Sequence, residues 1–335
     1  MIEPQHILTD TFGRKHNYLR ISLTERCNLR CSYCMPVDGV PLTPNAHLMN
    51  AEELFEIAQL FVNEGVDKIR LTGGEPLVRK DFPEILTSLA TLPVALSITS
   101  NGVSIDRHID LLKACGVSTI NLSLDTLDTA KFKKITFRNY FDKVYENIFK
   151  LIEADFNVKV NVVLMKGVND NEIIDFIEFT KKYPVNVRFI EFMPFDGNSW
   201  NREKTVSLKE ILDTLHTAFT KEDLIRLPDA PNDTAKNYKV AGYKGTFGII
   251  STVTNPFCDS CNRVRLTANG QLKNCLFSTT ESDLLTPLRA GKDIRPIVQK
   301  AMLGKHKMRG GLNTPEQFND PKEHTENRSM IRIGG

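Results

Sequence analysis

Short β-branched stretches alternate with longer amphipathic ones over the first two thirds of the chain. YLRISL (18–23), KIRLT (68–72), VALSIT (94–99), STINLSLD (118–125), VKVNVVLM (158–165) and VRFIEFM (187–193) have the composition and alternation of strands. Between them, apolar residues at helical spacing predict helices near 50–64, 82–91, 105–115, 139–154 and 170–182, and a sixth over 207–218. Asn50 and Asp81 stand where the first two helices need N-caps. Strict β–α alternation implies parallel strands joined by crossover helices. The pattern predicts an α/β fold, an open and incomplete (βα)6 TIM-like barrel, with a doubly wound sheet as the alternative that periodicity leaves open.

After about residue 220 the rhythm stops. LPDAPNDTAKNYKV (227–240) reads as loop or linker. The remainder, with GTFGIISTV (245–253), predicts a smaller C-terminal domain of short strands, which divides the chain into 1–220 and 221–335. No solenoid repeat or low-complexity tract interrupts this plan.

Composition changes the picture little. Hydrophobic residues at 41% and charged residues at 25% are ordinary for a globular chain. A net charge of +2 gives no global field for nucleic acid or a membrane, so any polyanion site must be a local cluster. The N-terminal stretch has no unbroken apolar core of a signal peptide, and no apolar run approaches a membrane span, so a cytoplasmic protein is expected. The stretch Arg289–Arg309, with seven Lys or Arg and one Asp, reads as a solvated helix face.

The cysteines carry the chemistry. Six of seven fall into two groups of three: Cys27, Cys31, Cys34 and Cys258, Cys261, Cys275. Cys115 stands alone in an apolar helical stretch and reads as a buried structural thiol. An iron–sulfur cube normally takes four cysteines. CNLRCSYCMP offers three, which suits a cube with one iron left open. Structural zinc is the alternative, but the nearest histidines, His16 and His47, follow no ligand spacing. LTGGEP (71–76) ends the second strand as a tight turn or a backbone nest for a ligand. CDSCNRVRL begins a second array at Cys258, and a zinc ribbon there would need a ligand beyond the one thiol of KNCLF.

CxxxCxxC with aromatic Tyr33 before its last cysteine resembles the signature of the radical S-adenosylmethionine (SAM) superfamily, and LTGGEP resembles its GGE motif. Adding CxxCNRxR, a cysteine thirteen residues later and a terminal Gly-Gly, residues 11–335 resemble the GTP 3′,8-cyclase family of molybdenum cofactor biosynthesis. The resemblance implies two 4Fe–4S clusters on the two cysteine groups, SAM on the first open iron, and a C-terminal iron–sulfur domain whose tail, MIRIGG, reaches into the site. It assigns Tyr33, Gly73, Gly74, Glu75, Ser123, Arg188 and Met193 to the cofactor.

Strand cations point to an anion independently. Arg20 lies opposite Leu19 and Ile21, Lys68 and Arg70 share a face, Lys159 alternates with valines, and Arg188 opens the sixth strand. Helices cover the outer face of a barrel, so these cations should face inward, where their charge needs a bound anion. A nucleoside triphosphate supplies one. The resemblance assigns Arg20, Lys68, Arg70, Thr99, Lys159, Arg263, Val264 and Arg265 to GTP, with Arg263 and Arg265 also catalytic. It implies conversion of GTP to 3′,8-cyclo-7,8-dihydro-GTP, an external one-electron donor, and hand-over to cyclic pyranopterin monophosphate synthase; related proteins are often dimeric. The rival readings are a peptide-modifying radical SAM enzyme, an electron-transfer iron–sulfur protein and a zinc-stabilised binding module.

Overall fold

The computed structural model describes residues 6–36, 38–324 and 326–334. Met1–Gln5, at the start of the stretch weighed as a signal peptide, and Gly335 of the terminal pair lie outside the described residues.

The alternating pattern folds as β1 (Tyr18–Ser22), α1 (Ala51–Asn63), β2 (Lys68–Thr72), α2 (Phe82–Leu89), β3 (Ala95–Ser100), α3 (Ile109–Ala114), β4 (Thr119–Ser123), α4 (Thr129–Thr136), α5 (Phe141–Glu153), β5 (Asn157–Leu164), α6 (Ile173–Lys182), β6 (Asn186–Glu191) and α7 (Leu208–Ala218). β1 to β6 pair in parallel and in sequential order. A doubly wound sheet reverses its order at a switch point. Sequential order with right-handed crossovers puts every helix on one face, which is the barrel arrangement.

The outer face is the core. Leu19, Ile21, Ile69, Leu71, Ile98, Ile120, Val158, Val160, Val187 and Phe189 are buried beneath the helices. Each is worth roughly 1.5–3 kcal/mol relative to exposure. α1 answers with Leu54, Ile57, Ala58 and Phe61, and its Asn50 cap closes a full capping box with Glu53. Asp81, expected to cap α2, makes no cap hydrogen bond; its carboxylate is held by the Arg79 guanidinium at 2.8 Å. The helix expected over 105–115 splits into a 3-10 turn, Ile105–His108, and α3.

β7 (Leu224–Arg226), β8 (Lys236–Val240), β9 (Thr246–Ile250), β10 (Arg263–Leu266), β11 (Gln271–Lys273) and β12 (Ser282–Asp283) extend this sheet at both edges. The last five residues of the expected linker are therefore strand, paired antiparallel to β9. β9 joins β6 in parallel and β10 joins β1 in parallel. The chain thus leaves β9 at the C-terminal end of the barrel and enters β10 at the N-terminal end, so residues 251–262 run its full height. α8 (Leu285–Arg289), α9 (Arg295–Leu303), α10 (Pro315–Asn319) and α11 (Met330–Ile333) complete the chain. The boundary expected at 220 falls in the turn between α7 and β7.

No helix among the described residues is long and apolar enough to cross a membrane.

Candidate functional site

The topology puts the two cysteine groups at opposite ends of one strand pair. Cys27, Cys31 and Cys34 follow β1, at the C-terminal end of the barrel. Cys258 and Cys261 precede β10, which runs parallel to β1, so they lie at the N-terminal end. β11 runs antiparallel to β10, and Cys275, just beyond it, returns to that same end. Five strand residues rise about 16 Å, which sets the scale of the separation. All seven cysteines are free.

The first group lines a cavity of about 180 Å³ with Tyr33, Gly73, Gly74, Thr99, Ser123, Asp125 and Met193. The GGE turn shapes it from beneath. The Gly74 N–H donates to the Thr24 carbonyl at 2.7 Å and the Glu75 N–H to the Arg26 carbonyl at 2.8 Å. A Cβ on Gly74 would stand 2.4 Å from the Arg26 carbonyl oxygen. These glycines thus let the turn lie directly on the backbone that leads into Cys27, and those two N–H groups are not free to form a ligand nest. Glu75 does not line the cavity. Its buried carboxylate accepts from Ser100 Oγ, the Asn101 N–H and the Leu77 N–H, fixing the end of β3.

α4, which the sequence reading omitted, supports the loop from the side. Its Thr136 and Ile135 carbonyls accept from the Arg30 and Ser32 N–H groups, both at 3.0 Å. The helix is short and lysine-rich, and its visible signal is the Asp128 cap on the Lys131 N–H.

The first thiols sit in an acidic, desolvated setting. Burial, then the Glu75 charge, pushes Cys27 up to about 11. Burial, then Cys27 and Asp125, pushes Cys34 up to about 12, and burial, then Asp125, raises Cys31 well above its usual value. Burial also raises Asp125 to about 6 and Glu75 to about 7. Donors nevertheless aim at the sulfurs. The Leu29 N–H lies 3.4 Å from Cys27 Sγ, Asn101 Nδ2 lies 3.7 Å from it, and the Ile331 main chain bonds to Cys34. Such donors suit thiolates bound to iron.

The second group has the opposite surroundings. Lys305 Nζ stands 3.5 Å from Cys261 Sγ, and the Arg309 main chain bonds to Cys258. Burial raises Cys258. Burial would raise Cys261 too, but the Lys305 and Arg263 charges outweigh it and hold that thiol at about 6. Arg14 braces the loop, donating to the carbonyls of Cys258 and Lys307, both at 2.8 Å, and His306 at 2.9 Å. Lys305 and Arg309 are 4% and 8% exposed, so these two members of the Arg289–Arg309 stretch are not on the solvated face expected for it. Arg289 and Arg295 do lie at the surface, paired with Glu53 and Asp293.

Among the described residues, no three His, Cys, Asp or Glu side chains are grouped to hold a single metal ion. A cube carries each thiolate on a separate iron, so its ligands are spread more widely than those of one ion. Both triads have N–H donors aimed at sulfur, and the second has the Lys305 ammonium as well; both fit that kind of group.

Between the triads lies the expected cation chamber. Arg20 pairs in register with Arg265 on one side and Arg70 on the other. Burial, then repulsion from Arg265 and Arg70, drives Arg20 well below the usual guanidinium range. Burial and neighbouring arginines lower Arg265 and Arg188 to about 10. Lys159 is lowered to about 7 by burial, then by Arg188, Arg70 and Lys68. Arg188, assigned above to the cofactor, does not line the cysteine cavity but belongs to this cluster. Val264, assigned to the substrate, is fully buried in the outer core, leaving only its main chain for contact. Thr99 lines the cavity, and its hydroxyl is buried without a partner among the described residues.

Tyr18 was not among the expected site residues. Its hydroxyl is buried without a partner among the described residues, and Lys68 and Arg70 stand 5.0 and 5.5 Å from its ring centre. The available signal was its i, i+2 relation to Arg20 on β1.

The tail enters from the C-terminal end. The Gly334 carbonyl accepts from Arg265 Nη1 at 2.9 Å, and a Cβ there would meet Thr72 Oγ1 at 2.5 Å. Asn327 and Arg328 anchor the tail through the Leu276 carbonyl and Glu281.

The Streptococcus suis protein SuiB, in a crystal structure bound to S-adenosylmethionine, has the same fold: TM-score 0.62 at 17% identity, over 84% of this chain and 65% of that one. The model of the radical SAM superfamily matches residues 21–180, and that of Molybdenum Cofactor Synthesis C matches residues 185–310. Fold and site therefore define a radical SAM protein, for which the superfamily implies a 4Fe–4S cluster and SAM.

GTP 3′,8-cyclase of Listeria monocytogenes is 41% identical over 98% of this chain and 99% of its own length, and the mitochondrial GTP 3′,8-cyclase of Arabidopsis thaliana 48% over 98% and 84%. The chain belongs to the GTP 3′,8-cyclase family of molybdenum cofactor biosynthesis. Molybdenum cofactor biosynthesis protein 1 of Bos taurus is 48% identical over 97% of this chain, which spans about half, 51%, of that relative.

Proposed function

We propose that this protein converts GTP to 3′,8-cyclo-7,8-dihydro-GTP, the first step of molybdenum cofactor biosynthesis. One observation carries the reading. Two cysteine triads flank a single barrel at opposite ends, and the strand cations between them have too little counter-charge of their own. A purely electron-transferring protein has no use for that chamber, and a triphosphate fits it.

Residues 1–220 form the half that holds SAM, and residues 221–335 the half that holds the second cluster. Cys27, Cys31 and Cys34 hold the first 4Fe–4S cluster, and Cys258, Cys261 and Cys275 the second. Tyr33, Gly73, Gly74, Ser123 and Met193 border the space for SAM. When bound, the first cluster and SAM supply a carbon radical able to take hydrogen from the ribose. The chain's own contribution is position. Arg20, Lys68, Arg70, Lys159, Arg188 and Arg263 hold the triphosphate by charge and bidentate hydrogen bonds. Arg265, tied to the Gly334 carbonyl, keeps the tail beside the reacting sugar. Keeping water and stray C–H bonds away from the radical is the barrel's other proposed role. An external one-electron donor and cyclic pyranopterin monophosphate synthase are the proposed partners.

The test is anaerobic. The reconstituted protein is given SAM, reductant and GTP deuterated at C3′, and the mass of the 5′-deoxyadenosine is read. Deuterium in that product is the expected result. Unlabelled 5′-deoxyadenosine with unchanged GTP would remove GTP as the substrate.

A further inference from the structure

Lys305 comes just after Gly304, which caps α9, and sequence pattern alone places it among solvated cations. Its ammonium is instead buried, 3.5 Å from Cys261 Sγ and 3.1 Å from the Arg263 carbonyl. Among the described residues no carboxylate lies within ion-pair distance of it. A buried ammonium without a counter-ion is costly, so the site is built for an anion that the protein's carboxylates do not supply. Among the described residues, the Cys261 sulfur is the anion-forming group that it touches.

We propose that Lys305 is a positioning residue of the second centre, donating a charge-assisted hydrogen bond to the Cys261 thiolate and thereby setting the charge and reduction potential of the cluster bound there. This rests on the reading that Cys258, Cys261 and Cys275 hold a cluster. Hydrogen bonds to ligand sulfurs and nearby positive charge both stabilise the reduced, more negative form. The Arg263 carbonyl takes a second ammonium hydrogen and fixes its direction toward sulfur. The first triad differs: among the described residues the hydrogen bonds to its sulfurs come from neutral donors, at Leu29, Asn101, Tyr33 and Ile331.

The experiment isolates the second centre. The full chain carrying C27S, C31S and C34S is reconstituted anaerobically, and iron, sulfide and the midpoint potential by electron paramagnetic resonance are measured. K305M and K305R are then made in that background, with thermal melts as a check on folding. The expected results are a lower potential and several-fold faster iron loss to a chelator in K305M, with K305R returning both toward the parent. Should K305M not fold, K305Q, which keeps a donor for the Arg263 carbonyl but no charge, is read by the same criteria. A neutral variant with the parent's potential and iron retention overturns the proposal while leaving the second cluster in place. A parent that takes up no iron and sulfide overturns the cluster reading, and the role of Lys305 with it.

Discussion

The two cysteine triads are similar in number and opposite in electrostatics. The first lies among buried carboxylates: Asp125 and Glu75 add their repulsion to burial, and all three thiols are held far above their usual range. The second lies among cations, and Lys305 with Arg263 draws Cys261 down to about 6 against its burial. The difference follows from what each end of the barrel must receive. On the proposed function the first would face the sulfonium and amino group of SAM, which carboxylates favour. The second opens onto the chamber of Arg20, Arg70, Lys159 and Arg188, which a polyanion favours. One barrel thus runs from an acidic end to a basic end, and a bound cofactor and substrate would be sorted by charge before any specific contact forms.

The sharpest way to break this comparison is to remove one triad at a time. C31S should abolish SAM cleavage altogether, a loss of several orders of magnitude in 5′-deoxyadenosine formation. C275S should retain part of the SAM cleavage while GTP conversion disappears. Equal loss of both activities in both variants would mean that the ends do not have separate roles.

The next effect lies between the triads. K159A should weaken GTP binding about 10- to 100-fold, the worth of one charged hydrogen bond in a desolvated site, and leave SAM binding unchanged. The pH dependence is sharper still. Lys159 stands at about 7 in the folded chain against 10.5 for an ordinary lysine. Between those values the unfolded chain binds more protons, so Lys159 destabilises the ligand-free protein below pH 7, and that cost fades as pH rises toward 10.5. A bound triphosphate favours the ammonium. Calorimetry in buffers of different ionisation heat should therefore show uptake approaching one proton on GTP binding at pH 8, much less at pH 6, and the pH 8 uptake lost in K159A. Equal uptake in K159A at pH 8 would assign the proton elsewhere.

Much of this site was legible because it follows simple periods. Arg20, Lys68, Arg70 and Lys159 alternate with core residues, so strand geometry alone turns them inward. Both cysteine groups show in their spacing. What escaped depends on tertiary registration. Lys305 and Arg309 sit in a basic stretch whose pattern does not distinguish the cation that turns toward Cys261 from those that face water. For Val264, strand position settles only the side chain, which lies in the outer core with Leu19 and leaves the main chain for the assigned contact. α4 is too short for its period to stand out, yet it holds the first cysteine loop. The crossing of residues 251–262 from one sheet edge to the other, which brings the second triad beneath the barrel, has no local signal at all.

The smallest predicted effect tests how far the basic end extends. Tyr18 pairs in register with Arg263 and Lys68, at the N-terminal end of β1. Burial alone would raise its phenol, but Arg70, Arg20, Lys68 and Arg263 outweigh that and hold it below its usual value. Its hydroxyl has no partner among the described residues although it is buried, and its ring packs against two of the cations. A phosphate oxygen would satisfy the hydroxyl, and the ring would hold Lys68 and Arg70 in place meanwhile. Y18F keeps the ring and removes only the hydroxyl. GTP affinity should fall about 3- to 10-fold, the net worth of one ordinary hydrogen bond, while guanosine binding stays as it was. Y18L removes the ring as well and should lose more, with a weaker salt dependence as Lys68 and Arg70 drift from register. If Y18F binds GTP as tightly as the parent, the basic end stops at Arg20 and the tyrosine only packs.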